Sequence, residues 1–237
     1  MEDNIMRNLA KPIIGVAAAG ALIFGLSACS MGDEGTSSNT SSPSSSSSSS
    51  ASATPTPVAE VPNLSSGVDT QVAVDADFLA ALTSLGVAPG TVGTATLTDG
   101  TLAFPITGGN VKYYDPAEDY RPYVQGEIDH DGSGLSLTAG GTVVELTDFV
   151  IDPGTSRLTG TVTVNGEVAA EDAFLFNLDG TTLMPLQAND DGTAVLEGTR
   201  VLISEDAAPL LNDAFGTDAI QADMLVGIAK ITVNTAG

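Results

Sequence analysis

The sequence has very few of the residues on which most catalytic and metal sites depend. Its 237 residues include one cysteine, one histidine and no tryptophan. Zinc sites need several Cys or His ligands, and nucleophilic catalysis needs a base beside a Ser, Thr or Cys. Because neither set can be assembled and no Gly-x-Ser-x-Gly motif is present, we expect a protein that is not an enzyme. The many carboxylates leave one alternative, a carbohydrate-acting enzyme that uses a pair of acids.

Positive charge is also scarce. The chain has 7 Lys and Arg residues against 30 Asp and Glu residues, which gives a formal net charge of −23 at pH 7. Proteins that bind nucleic acid neutralise phosphates with Lys and Arg, and an acidic surface repels those phosphates. We therefore exclude nucleic acid as a partner and expect a well-solvated extracellular domain.

Residues 1–28 resemble a bacterial lipoprotein signal peptide. Arg7 and Lys11 precede an apolar run at 13–26, which is shorter than the roughly 20 residues of a membrane span. The run ends in Leu-Ser-Ala, and Cys29 follows directly. This pattern resembles the lipobox, in which the cysteine receives a diacylglyceryl group before the signal peptide is removed. The resemblance implies a mature protein that is attached by lipid to the extracytoplasmic face of the cell membrane.

A low-complexity segment follows the cysteine. Residues 29–66 are rich in serine and include seven consecutive serines, 44–50. A segment with so little apolar content cannot offset the entropy lost on ordering, so we expect a disordered tether. The remaining residues, 67–237, are long enough to form one domain with its own core.

Two short helices are predicted within this domain. The first covers about 75–85: Asp75 suits the N-cap position, apolar residues recur at helical spacing, and Gly86 follows the last turn. The second covers about 205–215, with acids at its start and Gly216 after its end.

The rest of the domain has the period-two pattern of half-buried antiparallel strands. Residues 101–107 and 157–164 alternate apolar and polar side chains, and Asp-Gly or Asn-Gly pairs at 99–100, 165–166 and 179–180 suit hairpin turns. Strands recur with no helical pattern between most of them. We therefore predict a mainly β fold, an antiparallel sandwich or barrel-like domain with the two short helices.

The segment DHDGSG has two interpretations. Asp129, Asp131 and Ser133 supply oxygens at positions 1, 3 and 5 of a calcium loop, with glycine at position 6. Position 12, where a bidentate glutamate belongs, is Gly140. A hairpin turn at Asp131-Gly132 is the alternative, and we favour it.

All four tyrosines and the only histidine lie between residues 113 and 130: Tyr113, Tyr114, Tyr120, Tyr123 and His130. Tyrosinate and imidazole both bind haem iron, so these five residues are candidate haem or iron ligands. The alternative is that one of the first two tyrosines packs on the core while the later two close a loop between strands. This second interpretation is the simpler one.

Three stretches, at 102–111, 126–164 and 201–216, resemble the HtaA-type domains of exported proteins from high-GC Gram-positive bacteria. The resemblance covers roughly residues 91–216. It implies a β-sandwich-like fold and an exported location, and several members bind haem through a tyrosine supported by a histidine. The family's domain opens with a segment that contains Trp and a tyrosine, whereas this domain opens with the predicted helix at 75–85.

Together these patterns predict a cell-surface lipoprotein. The leading function is a non-enzymatic envelope or binding domain with a protein or small-molecule partner. The alternative is a haem- or iron-binding module that uses the segment 113–130. No cofactor is required by the sequence, and haem and calcium remain the two that its residues could bind.

Overall fold

A single bent antiparallel sheet makes up most of the structure, a computed structural model that describes residues 55–235. The predicted signal peptide, Cys29 and most of the predicted tether lie outside these residues. The strands, in chain order, are β1 (Ala59–Val61), β2 (Asp69–Val74), β3 (Ala88–Gly93), β4 (Thr96–Thr98), β5 (Thr101–Pro105), β6 (Gly108–Tyr113), β7 (Val124–Ala139), β8 (Thr142–Asp152), β9 (Arg157–Val164), β10 (Glu167–Asp179), β11 (Gln187–Ala188), β12 (Thr193–Ile203) and β13 (Leu225–Asn234).

The strands follow one another across the sheet in the order β1-β6-β7-β8-β9-β10-β12-β13-β2-β5-β4. Strand β3 pairs with the second half of β7, and β11 pairs with β12. Every pairing is antiparallel. The prediction of a mainly β, antiparallel domain is therefore confirmed.

The sheet curls, so that strands far apart in its order come together. The link between β5 and β6 makes this connection, because Ile106 N–H donates to the Val68 carbonyl at 3.3 Å and Thr107 N–H donates to the Asp129 carbonyl at 2.8 Å. Ile106 is thus hydrogen-bonded next to β2, and the following residue, Thr107, is hydrogen-bonded to β7. The result is a half-barrel, which agrees with the barrel-like form of the prediction.

Both predicted helices are present. Helix α1 is Ala76–Ser84, and the Asp75 carboxylate accepts hydrogen bonds from the first turn, including Asp77 N–H at 2.9 Å. Helix α2 is Ala207–Phe215 and ends at Gly216, which has the left-handed φ of 64° that favours glycine. Within residues 55–235, no helix has the length and apolar character needed to span a membrane.

The folded part of the chain begins earlier than predicted. Residues 59–66 belong to the predicted tether, yet Ala59–Val61 forms β1 at one edge of the sheet. Leu64 is only 1% exposed and belongs to the hydrophobic core. The apolar residues here are few and separated by polar ones, so their burial depends on contacts with β6 that the local sequence does not reveal.

Two of the predicted hairpin turns are confirmed and one is wrong. The pairs at 99–100 and 165–166 have positive φ at both positions and connect adjacent paired strands. At 179–180 the chain instead enters a 3-10 helix, Gly180–Thr182. Asp179 has φ −86° and caps this helix by accepting from Thr181 N–H at 2.9 Å. Its carboxylate also pairs with Arg200 at 2.8 Å, so its side chain has a role other than turn formation.

The predicted turn at Asp131-Gly132 is wrong as well, because both residues lie inside β7. The pairing of β7 with β8 shifts between His130 and Gly134, and Gly132 has φ 69°. This bulge lies where the other neighbour of β7 changes from β6 to β3. A glycine with positive φ suits a bulge as well as a turn. The hairpin between β7 and β8 is formed instead by Gly140 and its neighbour, with φ values of 59° and 89°.

The inside of the curl is filled at one end by large side chains. Leu146, Leu175 and Ile203 are each 1% exposed. Phe104 and Phe149 pack edge to face with ring centres 5.2 Å apart. The other end of the curl is not filled.

Candidate functional site

A cavity of about 650 Å³ occupies the unfilled end of the curled sheet. Ligand sites in proteins usually have volumes of about 300–1,000 Å³ and mostly apolar walls with a few polar groups. Here one wall comes from β1, β6, β7 and β8 and the other from β10, β12 and β13. The site therefore depends on strands distributed along the whole domain.

Strand β13 defines the length of the cavity. Its side chains alternate between the two faces of the sheet, and Ala229, Ile231 and Val233 line the cavity, as does Thr235 directly after the strand. A strand rises about 3.3 Å per residue, so the wall from the first to the last of these residues is about 20 Å long. The cavity thus extends about 20 Å in the direction of the strands.

The neighbouring strand β12 continues this wall. Ala194 pairs with Val233 near the mouth, and Thr199 pairs with Ala229 at the deep end. A bulge at Gly198, which has φ 108°, shifts the alternation between them. A side chain on this glycine would lie 2.3 Å from the Thr182 carbonyl oxygen, so glycine permits the close approach of the segment that ends the 3-10 helix.

Apolar side chains close the deep end. Ile151, Leu178 and Ala229 line the cavity and also a separate void of only about 40 Å³. His130 lines that small void and does not line the cavity. These apolar side chains therefore lie between the histidine and any molecule in the cavity.

Two of the four candidate tyrosines meet at the mouth of the cavity. Tyr113, at the end of β6, and Tyr123, just before β7, pack edge to face with ring centres 6.0 Å apart. Burial raises the pKa of the Tyr113 hydroxyl, and a hydrogen bond from the Leu186 backbone N–H opposes that rise. Tyr113 is therefore a neutral phenol at pH 7, with a proton to donate to a ligand.

The other two tyrosines form a separate pair. Tyr114 is 5% exposed, and its ring centre lies 4.6 Å from that of Tyr120. Neither residue lines the cavity. The structure therefore divides the predicted tyrosine cluster, with Tyr113 and Tyr123 at the cavity and the other two packed together in the loop.

His130 is a core residue with both ring nitrogens in hydrogen bonds. It is 1% exposed; Nδ1 lies 3.2 Å from the Phe149 carbonyl oxygen and Nε2 lies 2.8 Å from the Thr70 hydroxyl oxygen. A carbonyl can only accept, so Nδ1 carries the proton and Nε2 accepts from Thr70. Burial lowers the pKa of the imidazole from 6.5 to about 4, and the ring is neutral at pH 7.

The three candidate calcium ligands have unequal surroundings. Ser133 is fully buried and its hydroxyl donates to the His130 carbonyl at 3.1 Å, whereas Asp131 is exposed. Burial, together with the charge of Asp131, raises the pKa of Asp129. No group of three or more His, Cys, Asp or Glu residues placed to hold a metal ion occurs between residues 55 and 235. Calcium binding by these three residues stays a prediction.

Two basic residues border the cavity. The described part of the chain has five, because Arg7 and Lys11 account for two of the seven. Arg121 lies at the mouth with its guanidinium carbon 5.5 Å from the centre of the Tyr123 ring. Lys112, on β6, also lines the cavity. Its ammonium pairs with Glu60 at 3.2 Å.

Arg121 also fixes the loop that carries it. Its guanidinium donates to the backbone carbonyls of Pro116 at 3.0 Å and Tyr120 at 2.8 Å, and to that of Glu118. These acceptors carry no net charge. Within residues 55–235 Arg121 makes no ion pair with a carboxylate, so its positive charge stays uncompensated at the mouth.

The sequence interpretation missed most of this site. It named Tyr113 and Tyr123 but neither Arg121 nor the apolar side chains of β12 and β13. The alternation of apolar residues on these strands was a usable signal for an inward face. It could not show that the inward face lines a cavity, because core strands have the same pattern.

Comparison with known proteins gives a fold resemblance. No protein-family model and no curated protein matches the chain. Among solved structures, the crystal structure of the C-terminal domain of HtaA from Corynebacterium glutamicum matches with 15% sequence identity and a TM-score of 0.46, and the match covers 71% of this chain and 98% of that one. The resemblance to HtaA-type domains that the sequence predicts is thus also found by structure comparison.

Proposed function

We propose that this chain is a non-enzymatic binding protein that takes a largely apolar small molecule into the cavity. The observation that carries the proposal is the cavity of about 650 Å³ with mostly apolar walls and a few polar side chains. Apolar ligand surface that leaves water here contributes favourable free energy without a polar partner. The only histidine is hydrogen-bonded in the core and offers no base to a bound molecule.

The proposal includes a place in the cell envelope. Lipid attachment at Cys29 would hold the protein on the extracytoplasmic face of the cell membrane, as the signal-peptide pattern of residues 1–29 supports. A flexible serine-rich chain of about 30 residues has a root-mean-square reach of roughly 30 Å. The domain would then bind its ligand away from the membrane surface.

Ferric haem is a second candidate, favoured by Tyr113. Its phenol lies at the mouth of the cavity beside Tyr123, and tyrosinate is an established axial ligand of haem iron. Tyr113 would supply the iron ligand, and Arg121 would be placed to meet a propionate. His130 would not contribute to this site, because it does not line the cavity.

A titration with 1-anilinonaphthalene-8-sulfonate, whose fluorescence rises in apolar surroundings, tests the general proposal. We expect one equivalent to bind to the full chain. Ala194→Trp places an indole in the cavity and should abolish binding, whereas Val168→Trp, at a position that is 60% exposed and does not line the cavity, should leave it unchanged. Equal binding by both variants, with melting temperatures like that of the wild type, would rule out the cavity as the site.

A further inference from the structure

The polarity of the cavity changes along its length, and this change indicates the chemical class of the ligand. We propose that the cavity binds a single-chain amphiphile, a long hydrocarbon chain that carries one anionic head group. This inference rests on the proposed function and makes it specific. The hydrocarbon chain occupies the deep apolar part, and the head group lies at the mouth beside Arg121 and Tyr113.

The length of the apolar part suits a lipid chain. Between Ala229 at the deep end and Val233 near the mouth, the β13 wall extends over four residue steps, which is about 13 Å at 3.3 Å per residue. One leaflet of the hydrocarbon core of a bilayer is about 15 Å thick. The acyl chain of a membrane lipid therefore has the right length to run from the mouth to the deep end.

The deep end favours an apolar group. Ile128, Ile151 and Leu178 close it, and their side chains have no hydrogen-bonding groups. The polar side chain at this end is that of Thr199, which pairs with Ala229, and the His130 imidazole behind the apolar side chains already uses both nitrogens. A ligand with charged groups at both ends would bury one of them without an oppositely charged partner, which is unfavourable. The terminal methyl of a hydrocarbon chain has no such requirement.

The mouth favours an anion. Residues 55–235 contain 26 acidic and five basic residues. The other four of the chain's 30 acidic residues lie in residues 1–54. Two of the five basic residues line the cavity: Lys112, which pairs with Glu60 at 3.2 Å, and Arg121, which lies at the mouth without a carboxylate partner. The Tyr113 hydroxyl adds a neutral hydrogen-bond donor beside it. A carboxylate or a phosphate monoester at the end of an acyl chain would meet both groups.

The first test is a chain-length series with Cys29→Ala protein, which carries no lipid. Saturated carboxylates of increasing length are titrated in competition with 1-anilinonaphthalene-8-sulfonate. Each methylene buried in an apolar site improves affinity about fourfold, so Kd should fall steadily with length and level off once the cavity is full. Ala229→Leu, which shortens the deep end, should make the series level off at a shorter chain.

The second test concerns the head group. Arg121→Gln should weaken carboxylate binding about fivefold and leave the binding of the matching alcohol unchanged. Arg121→Lys loses the guanidinium hydrogen bonds to the loop carbonyls but keeps the positive charge. Because the charge is kept, this variant should retain the preference for the carboxylate. Lys230→Gln removes an equal charge at a position on β13 that does not line the cavity, and it is the matched control, with a smaller effect. An alkyl phosphate of equal length shows whether a lipid phosphate serves as well as a carboxylate.

The outcomes separate this inference from the proposed function. A steady dependence on chain length together with a preference for the anionic head supports the inference. Binding of hemin or the fluorescent probe, without any dependence on carboxylate length, overturns the inference and leaves the proposed function in place. Absence of binding by the carboxylates, hemin and the probe overturns both. A further outcome is that Ala229→Leu melts like the wild type and leaves the dependence on chain length unaltered. That result would place binding outside the cavity, and it would overturn the inference too.

Discussion

Nε2 of His130 lies 2.8 Å from the hydroxyl oxygen of Thr70, and this hydrogen bond joins β7 to β2 inside the curled sheet. The two strands are far apart in the order of the sheet. The only histidine of the chain therefore helps to hold the curl together, and the tyrosine pair at the mouth of the cavity has no imidazole beside it.

The buried histidine makes the fold sensitive to acid. The pKa of His130 is about 4 in the fold against 6.5 for a free imidazole, so between these pH values the unfolded chain binds a proton that the folded chain does not. The free energy of unfolding should therefore fall by about 2–3 kcal/mol between pH 7.5 and pH 4.5 through this group alone. Urea unfolding of the wild type and His130→Leu isolates the contribution, because the acidic residues are common to both. Identical pH dependence in the two proteins would contradict the assignment.

Alanine substitutions at two glycines test how closely β3 packs on the bulge in β7. Gly93 has φ 62°, and a side chain there would lie 1.9 Å from the Gly132 carbonyl oxygen. Gly140 has φ 59° but no atom within 4 Å of such a side chain. We expect Gly140→Ala to lower the free energy of unfolding by about 1 kcal/mol and Gly93→Ala by about 3 kcal/mol or more. Equal losses would show that β3 does not pack so closely on the bulge.

If haem binds in the cavity, substitutions of Tyr113 and Tyr120 should have different effects on its absorption spectrum. Hemin added to the full chain should shift its Soret band and give the absorption of a tyrosinate complex, and Tyr113→Phe should remove that signature. Tyr120→Phe alters a tyrosine that packs on Tyr114 away from the cavity and should behave like the wild type. The absorption spectrum is the measurement. Haem is excluded as a ligand of this site if the wild type shows no shift or if the Tyr113→Phe spectrum is unchanged.

Membrane attachment through Cys29 has a separate test. The wild type should partition into the detergent phase of a Triton X-114 extract of the host bacterium. Cys29→Ala removes the lipid acceptor, so the protein should appear in the medium or remain as an unprocessed precursor. Cys29→Ala protein that has lost its signal peptide and still partitions into the detergent phase as the wild type does would contradict lipid attachment.

The sequence predicted well those features that local interactions determine. The N-cap at Asp75, the left-handed Gly216 and the hairpin turn at 165–166 depend on residues close together in the chain, and all three are confirmed. The Asp-Gly pair at 131–132 suits a turn as well as a bulge. Which of them forms depends on the change of partner strand from β6 to β3, and that is a property of the whole sheet.

The site was predictable only in part for the same reason. Clustering in sequence identified Tyr113 and Tyr123, but it also included His130, which the curl of the sheet places behind the apolar deep end. Conversely, Arg121 and Val233 are 112 positions apart in the chain and border one cavity. Only the order of the strands and their curvature bring such residues together.

The most direct test of the central claim is to locate a bound molecule by nuclear Overhauser effects in the methyl-labelled full chain. With 1-anilinonaphthalene-8-sulfonate bound, the account predicts contacts from its aromatic protons to methyl groups of Val111, Leu196 and Ile231, which line the cavity. Contacts confined to Val168 and Ile228, which are exposed and do not line the cavity, would contradict it.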